Sequence, residues 1–113
     1  MSAPDLTTAA DVVTAAQGVV TAATRRLAGI VAGGGNIDDH QVLAYDLAHA
    51  AAAVETARAL LDYGGKGDVE GQITCAFVAD AVAELAGKLF GREADWGVEP
   101  GALDSTREFV ATY

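Results

Sequence analysis

Apolar residues recur at steps of three and four along three stretches of the chain, and glycine-rich breaks separate them. In the first stretch Val12, Val13, Ala16, Val19, Val20, Ala23, Leu27, Ile30 and Val31 keep this spacing. Strand alternation would need steps of two, so the pattern predicts a helix over 7–32. Thr7 or Thr8 is the expected cap, with Asp11 three residues after Thr8 as in a capping box. Arg25 and Arg26 fall toward the far end, where positive charge suits the helix dipole. Gly33-Gly34-Gly35 should stop the helix.

A second helix is predicted over 37–63, opened by Asn36, with Asp39 as a carboxylate variant of the box. Its core stripe is Leu43, Leu47, Ala50, Val54, Ala57 and Leu61. Glu55–Arg58 and Arg58–Asp62 have the spacing of local ion pairs. Tyr63-Gly64-Gly65-Lys66-Gly67 closes it, and a third helix over 68–91 follows, capped by Asp68. Val69, Ile73, Phe77, Val78, Ala81, Leu85 and Leu89 are its expected stripe. Beyond Gly91 the run Trp96-Gly97-Val98-Glu99-Pro100-Gly101 reads as a loop. Trp96 and Val98 are expected to fold back over the open end, and a short helix over 104–111 presents Phe109 and Tyr113. The fold class is all-α: one domain, 1–113, an up-down bundle of three long helices with a short C-terminal helix.

Composition changes this picture in one respect. The chain is 51% hydrophobic, which suits a folded domain, but much of that is alanine. With three Phe, three Tyr and one Trp as large anchors, the core is thin. Either modest stability or a partner surface over one helical face follows. A fourth helix, from a partner or a second copy, would complete a four-helix cross-section.

Charge then narrows the partners. Sixteen acidic and seven basic residues give a formal net charge of -9. That argues against nucleic acid and anionic membranes and permits a basic partner protein. No run of about 18 uncharged apolar residues is present. The start Met1-Ser2-Ala3-Pro4-Asp5 lacks the positive and apolar regions of a signal peptide, so cytoplasmic residence is the expectation.

Candidate chemistry is sparse. Cys75 is the one cysteine, which excludes an internal disulfide and a thiolate zinc cluster made by this chain alone. His40 and His49 stand nine residues apart on the second helix. They therefore project to roughly opposite sides and cannot share a metal. Tyr45, Asp46 and His49 form the one acid/base constellation, with His49 three residues after Asp46. A carboxylate metal bundle would need paired Glu-x-x-His motifs; Asp46-x-x-His49 occurs once and without them. The glycine runs lack a preceding strand and a Lys-Ser/Thr pair, so they read as helix stops and not phosphate loops. Asp104-Ser105-Thr106 makes no triad.

Asp39-His40-Gln41, Tyr45-Asp46-Leu47-Ala48 and Val54-Glu55-Thr56-Ala57-Arg58-Ala59-Leu60 resemble acyl-CoA dehydrogenase-type flavoproteins. The layout is similar to the extra N-terminal helical domain of larger members such as the methylsuccinyl-CoA dehydrogenases. Phe77-Val78-Ala79-Asp80, Leu85-Ala86 and the 96–101 loop fit that layout, and the likeness spans roughly 8–104. The resemblance implies an accessory helical domain. The family carries out FAD-dependent dehydrogenation of acyl-CoA thioesters with a glutamate base. No residue here matches that glutamate, and the chain is too short for the whole catalytic fold.

The sequence therefore leads to a packing or oligomerisation module without chemistry or cofactor of its own. FAD would belong to a larger polypeptide or a partner, and the expected partners are a second copy or a flavoprotein. The alternatives are a small cofactor-independent enzyme or acyl-CoA-binding bundle using Tyr45, Asp46 and His49 between helices, or an acidic regulatory adaptor.

Overall fold

Helix begins where the first strong acceptor can take up free backbone N–H groups. That acceptor is Asp5, and not Thr7 or Thr8 as the sequence suggested. Its Oδ1 accepts from the Thr8 backbone N–H at 2.9 Å and its Oδ2 from the Thr8 hydroxyl at 2.7 Å. A carboxylate outcompetes a hydroxyl at a helix N-terminus because its charge also meets the dipole. The same backbone bond, then the hydroxyl bond, holds the Asp5 carboxyl below its ordinary pKa.

The computed structural model describes residues 3–113; Met1 and Ser2, where the leader reading begins, lie outside them. The fold is all-α: three long helices and one short C-terminal helix, with no strand among the described residues. Helix α1 runs Leu6–Ala32, α2 Gln41–Gly64, α3 Asp68–Leu89 and α4 Arg107–Thr112. Gly34 takes a φ of +92° in the first break, a conformation open to glycine at little cost.

Two starts differ from expectation. Asn36 caps a 3-10 turn, Ile37–His40, by accepting from the Asp38 N–H; α-helix proper begins at Gln41. Asp68 is the first residue of α3 and not its cap. Gly67 holds the cap position, so Asp68 and Glu70 act on the dipole from within the first turn.

One end of the bundle gathers the start of α1, the end of α2 and the start of α3. A Cβ on Gly64 would lie 2.7 Å from Thr74 Oγ1 and 2.9 Å from Leu6 Cδ2. A Cβ on Gly71 would lie 2.7 Å from Pro4 Cβ. These two glycines allow the approach. The fully buried Thr74 hydroxyl sits 3.0 Å from Leu60 O and 2.9 Å from Glu70 O, sharing its proton between two helices. Midway along the bundle Arg58 Nη2 donates to Gln17 Oε1 at 3.0 Å, joining α2 to α1. Arg58 also pairs with Glu55 at 3.0 Å, so the Arg58–Asp62 pair read from the spacing gives way to a contact between helices.

The buried face of α2 is the expected one, with Leu43, Leu47, Ala50, Val54 and Ala57 inside and Leu61 partly so. In α1 burial stops at Ala23; Leu27 is half-buried and Val31 is exposed. Helix α3 corrects the reading more sharply. Val69 and Ile73 face solvent, and the inner face is Gly71, Thr74, Cys75, Val78, Ala79, Val82, Leu85 and Leu89. Apolar residues lie all around this helix, and close contact with α2 selects the small ones.

After α3 the chain turns back, with positive φ at Gly91, Gly97 and Gly101. Trp96 is 1% exposed and joins the core, with Val98 packed partly against it. Arg26 Nε donates to Asp95 O at 3.0 Å and fastens this loop to α1. Helix α4 packs on α3 and α1, with Phe109 buried and its ring 4.7 Å from that of Tyr113. The Tyr113 hydroxyl donates to Ala3 O and draws the two chain ends together. Partial burial raises this phenol above its ordinary pKa, with Cys75 and Asp5 adding to the effect. The C-terminal segment thus covers part of the α1–α3 side and leaves the outer face of α2 uncovered.

Candidate functional site

Two surfaces are candidates. The first is a cleft of about 550 Å³ at the end opposite Gly64, between the last turns of α1, the 3-10 turn, the start of α2 and the Trp96 loop. Arg26, Arg92 and His40 face it together with four carboxylates, Asp38, Asp39, Asp46 and Asp95. Arg92 Nη1 stands 3.8 Å from Asp46 Oδ2, an ion-pair distance. Each arginine therefore has a partner: Arg26 donates to the carbonyl of Asp95, and Arg92 has the carboxylate of Asp46 at ion-pair distance.

The structure divides the sequence-derived constellation. Tyr45 and His49 pack ring to ring on the exposed surface of α2, centroids 4.5 Å apart and tilted by 48°. Asp46 turns to the other flank and meets Arg92. Tyr45 and His49 lie outside the cleft that Asp46 lines, so that cleft does not bring the three together around one ligand. His40 lies in the end cleft, apart from His49. Cys75 is fully buried. Among the described residues no three His, Cys, Asp or Glu side chains cluster as a metal site would need, and no helix is long and apolar enough to cross a membrane. In the end cleft four carboxylates stand beside the two guanidinium groups, an unfavourable setting for the diphosphate of a flavin dinucleotide.

The second surface is the outer side of α2. Val42, Tyr45, His49, Ala52, Thr56, Ala59 and Tyr63 are all exposed and follow one another at alternating steps of three and four. None of them is Asp, Glu, Lys or Arg. Tyr45 is 67% exposed and Val42 63%. This line was hidden in the sequence because alanine occupies both faces of the helix. The engaged arginines were hidden too, since Arg26–Asp95 and Arg92–Asp46 join distant segments.

A smaller groove of about 230 Å³ runs between α3 and the C-terminal segment, with Val82, Leu89, Leu103 and Val110 in its wall. Phe90 at its edge is 86% exposed.

No protein-family model, no curated protein and no solved structure matches the chain.

Proposed function

We propose that this chain is a helical packing module that works through an apolar helix face and performs no chemistry of its own. The observation that carries the reading is the outer face of α2. A line of mostly apolar residues, free of Asp, Glu, Lys and Arg, along a long helix face that no other element covers is what a bundle awaiting another helix presents. The resemblance of the 39–60 region to acyl-CoA dehydrogenase-type flavoproteins supports a partner or attached body of that type. FAD would then reside in that partner.

Light scattering coupled to chromatography, with and without a purified acyl-CoA dehydrogenase-type flavoprotein, tests the reading. Co-elution as a complex, or assembly of the chain with itself, supports it. A strict monomer at high concentration that ignores the flavoprotein overturns it. The acyl-CoA-binding alternative rests on the end cleft and on His49. Calorimetric titration with acetyl-CoA, with His49→Ala as control, separates it: heat lost in the variant favours ligand binding, and no heat at high ligand concentration removes it.

A further inference from the structure

We propose that the outer line of α2 is a docking seam for one amphipathic helix of a basic partner protein. The inference rests on the packing-module reading and adds to it the face used and the character of the occupant.

The alternating three-and-four spacing is that of heptad positions a and d, the pattern that a second helix meets with knobs into holes. The seam runs from Val42 to Tyr63, roughly 32 Å at helical rise, room for one partner helix of similar length. Ala52, Thr56 and Ala59 occupy its middle, so a partner helix can approach closely there. Tyr45 and Tyr63 bracket that middle with large amphipathic rings, a residue type favoured at interface cores.

Charge decides between a second copy and a different protein. On one flank Glu55 and Asp62 hold the g positions beside the seam, and both are exposed. On the other flank the e positions are Asp46, Ala53 and Leu60, and Asp46 is taken by Arg92. Two antiparallel copies would set this g flank, Gln41, Ala48, Glu55 and Asp62, against itself, with no basic residue to meet the acids. Two parallel copies would set Glu55 against Leu60 and satisfy nothing. Each copy also brings a net charge of -9. A helix with lysine or arginine beside its own apolar stripe meets Glu55 and Asp62 with opposite charge and is drawn in by the overall field. Glu55 keeps Arg58 as a neighbour at 3.0 Å, and its side chain is 71% exposed, leaving it able to receive a second cation.

The test uses two designed helical peptides of about 21 residues with the same leucine and alanine stripe, one flanked by lysine and one by glutamate. Each is titrated into the isotope-labelled chain and followed by amide chemical shifts. The lysine peptide should bind saturably, with shifts concentrated on Val42, Tyr45, Ala52, Ala59 and Tyr63, and the glutamate peptide should not. Ala52→Glu separates seam docking from simple attraction of opposite charges. It makes the protein more acidic but buries a carboxylate in the seam, so the lysine peptide should bind about tenfold or more weakly. Circular dichroism of the variant confirms that the bundle is intact, as expected for an exposed position. Unchanged or tighter binding by Ala52→Glu, shifts scattered over the surface, or equal binding of both peptides would overturn the proposal. So would self-association through α2, although that result leaves the packing-module reading standing. A flavoprotein complex with no change along α2 refutes the seam and, with it, the outer-face reading.

Discussion

Replacing glycine by alanine in a helix ordinarily stabilises it by about 0.5–1 kcal/mol, through the entropy of the unfolded chain. This bundle should show both signs. Gly18 and Gly87 lie inside α1 and α3, and a Cβ on either meets nothing within 4 Å. Gly18→Ala and Gly87→Ala should each raise stability by about 0.5–1 kcal/mol. Gly64 is also helical, but its Cβ would sit 2.7 Å from Thr74 Oγ1 and 3.0 Å from Thr74 Cβ. Thr74 cannot swing away without giving up its bonds to Leu60 O and Glu70 O in a fully buried place. Overpacking of this kind costs about 1–3 kcal/mol, which outweighs the propensity gain. Gly64→Ala should therefore lower stability by about 0.5–2 kcal/mol net. Urea unfolding followed by helical circular dichroism measures all three, with the slope compared to confirm two-state behaviour. Stabilisation by Gly64→Ala equal to that of Gly18→Ala would refute the close-approach argument at that end of the bundle.

Trp96→Ala empties the largest buried side chain and should cost about 3–5 kcal/mol; a loss under about 1 kcal/mol by urea unfolding would mean that the loop is not part of the core. Thr74→Val keeps the shape but removes the hydroxyl shared by α2 and α3, and should cost about 1 kcal/mol, with faster amide exchange near Leu60 as the sign of the lost contact. Asp5 has a folded pKa below its unfolded value of about 3.9. Its contribution is therefore present above that value and fades as pH falls through the folded pKa. Asp5→Ala should lower the unfolding midpoint at neutral pH and flatten the acid limb of stability against pH, whereas a parallel profile would count against the cap.

The long helices were legible because their apolar steps and glycine breaks are local features. The buried face of α2 was legible for the same reason: Leu43, Leu47 and Val54 are large and lie on one side. Helix α3 was read in the wrong phase over its first half. There the packed residues are Gly71, Thr74 and Cys75, which hydrophobic periodicity undervalues, while Val69 and Ile73 attract attention from outside. Gly71 and Thr74 are inside because Gly64, Pro4 and Leu6 crowd the same place, a tertiary fact with no local signal. The cap at Asp5 was missed because Thr8 stood at a plausible spacing; the structure makes Thr8 the donor and Asp5 the acceptor. The Tyr45, Asp46 and His49 grouping was readable as spacing, but neighbours on a helix need not converge. Arg92, far along the chain, draws Asp46 to the other flank.

A flavoprotein of the acyl-CoA dehydrogenase type, titrated into the labelled chain, brings the central claim to one measurement: which residues change on binding. If the module works through the outer face of α2, amide shifts and exchange protection should follow Val42, Tyr45, Ala52, Ala59 and Tyr63, leaving Arg26, His40 and Arg92 unchanged. Changes confined to the end cleft, or no change along α2 when the complex forms, would contradict it.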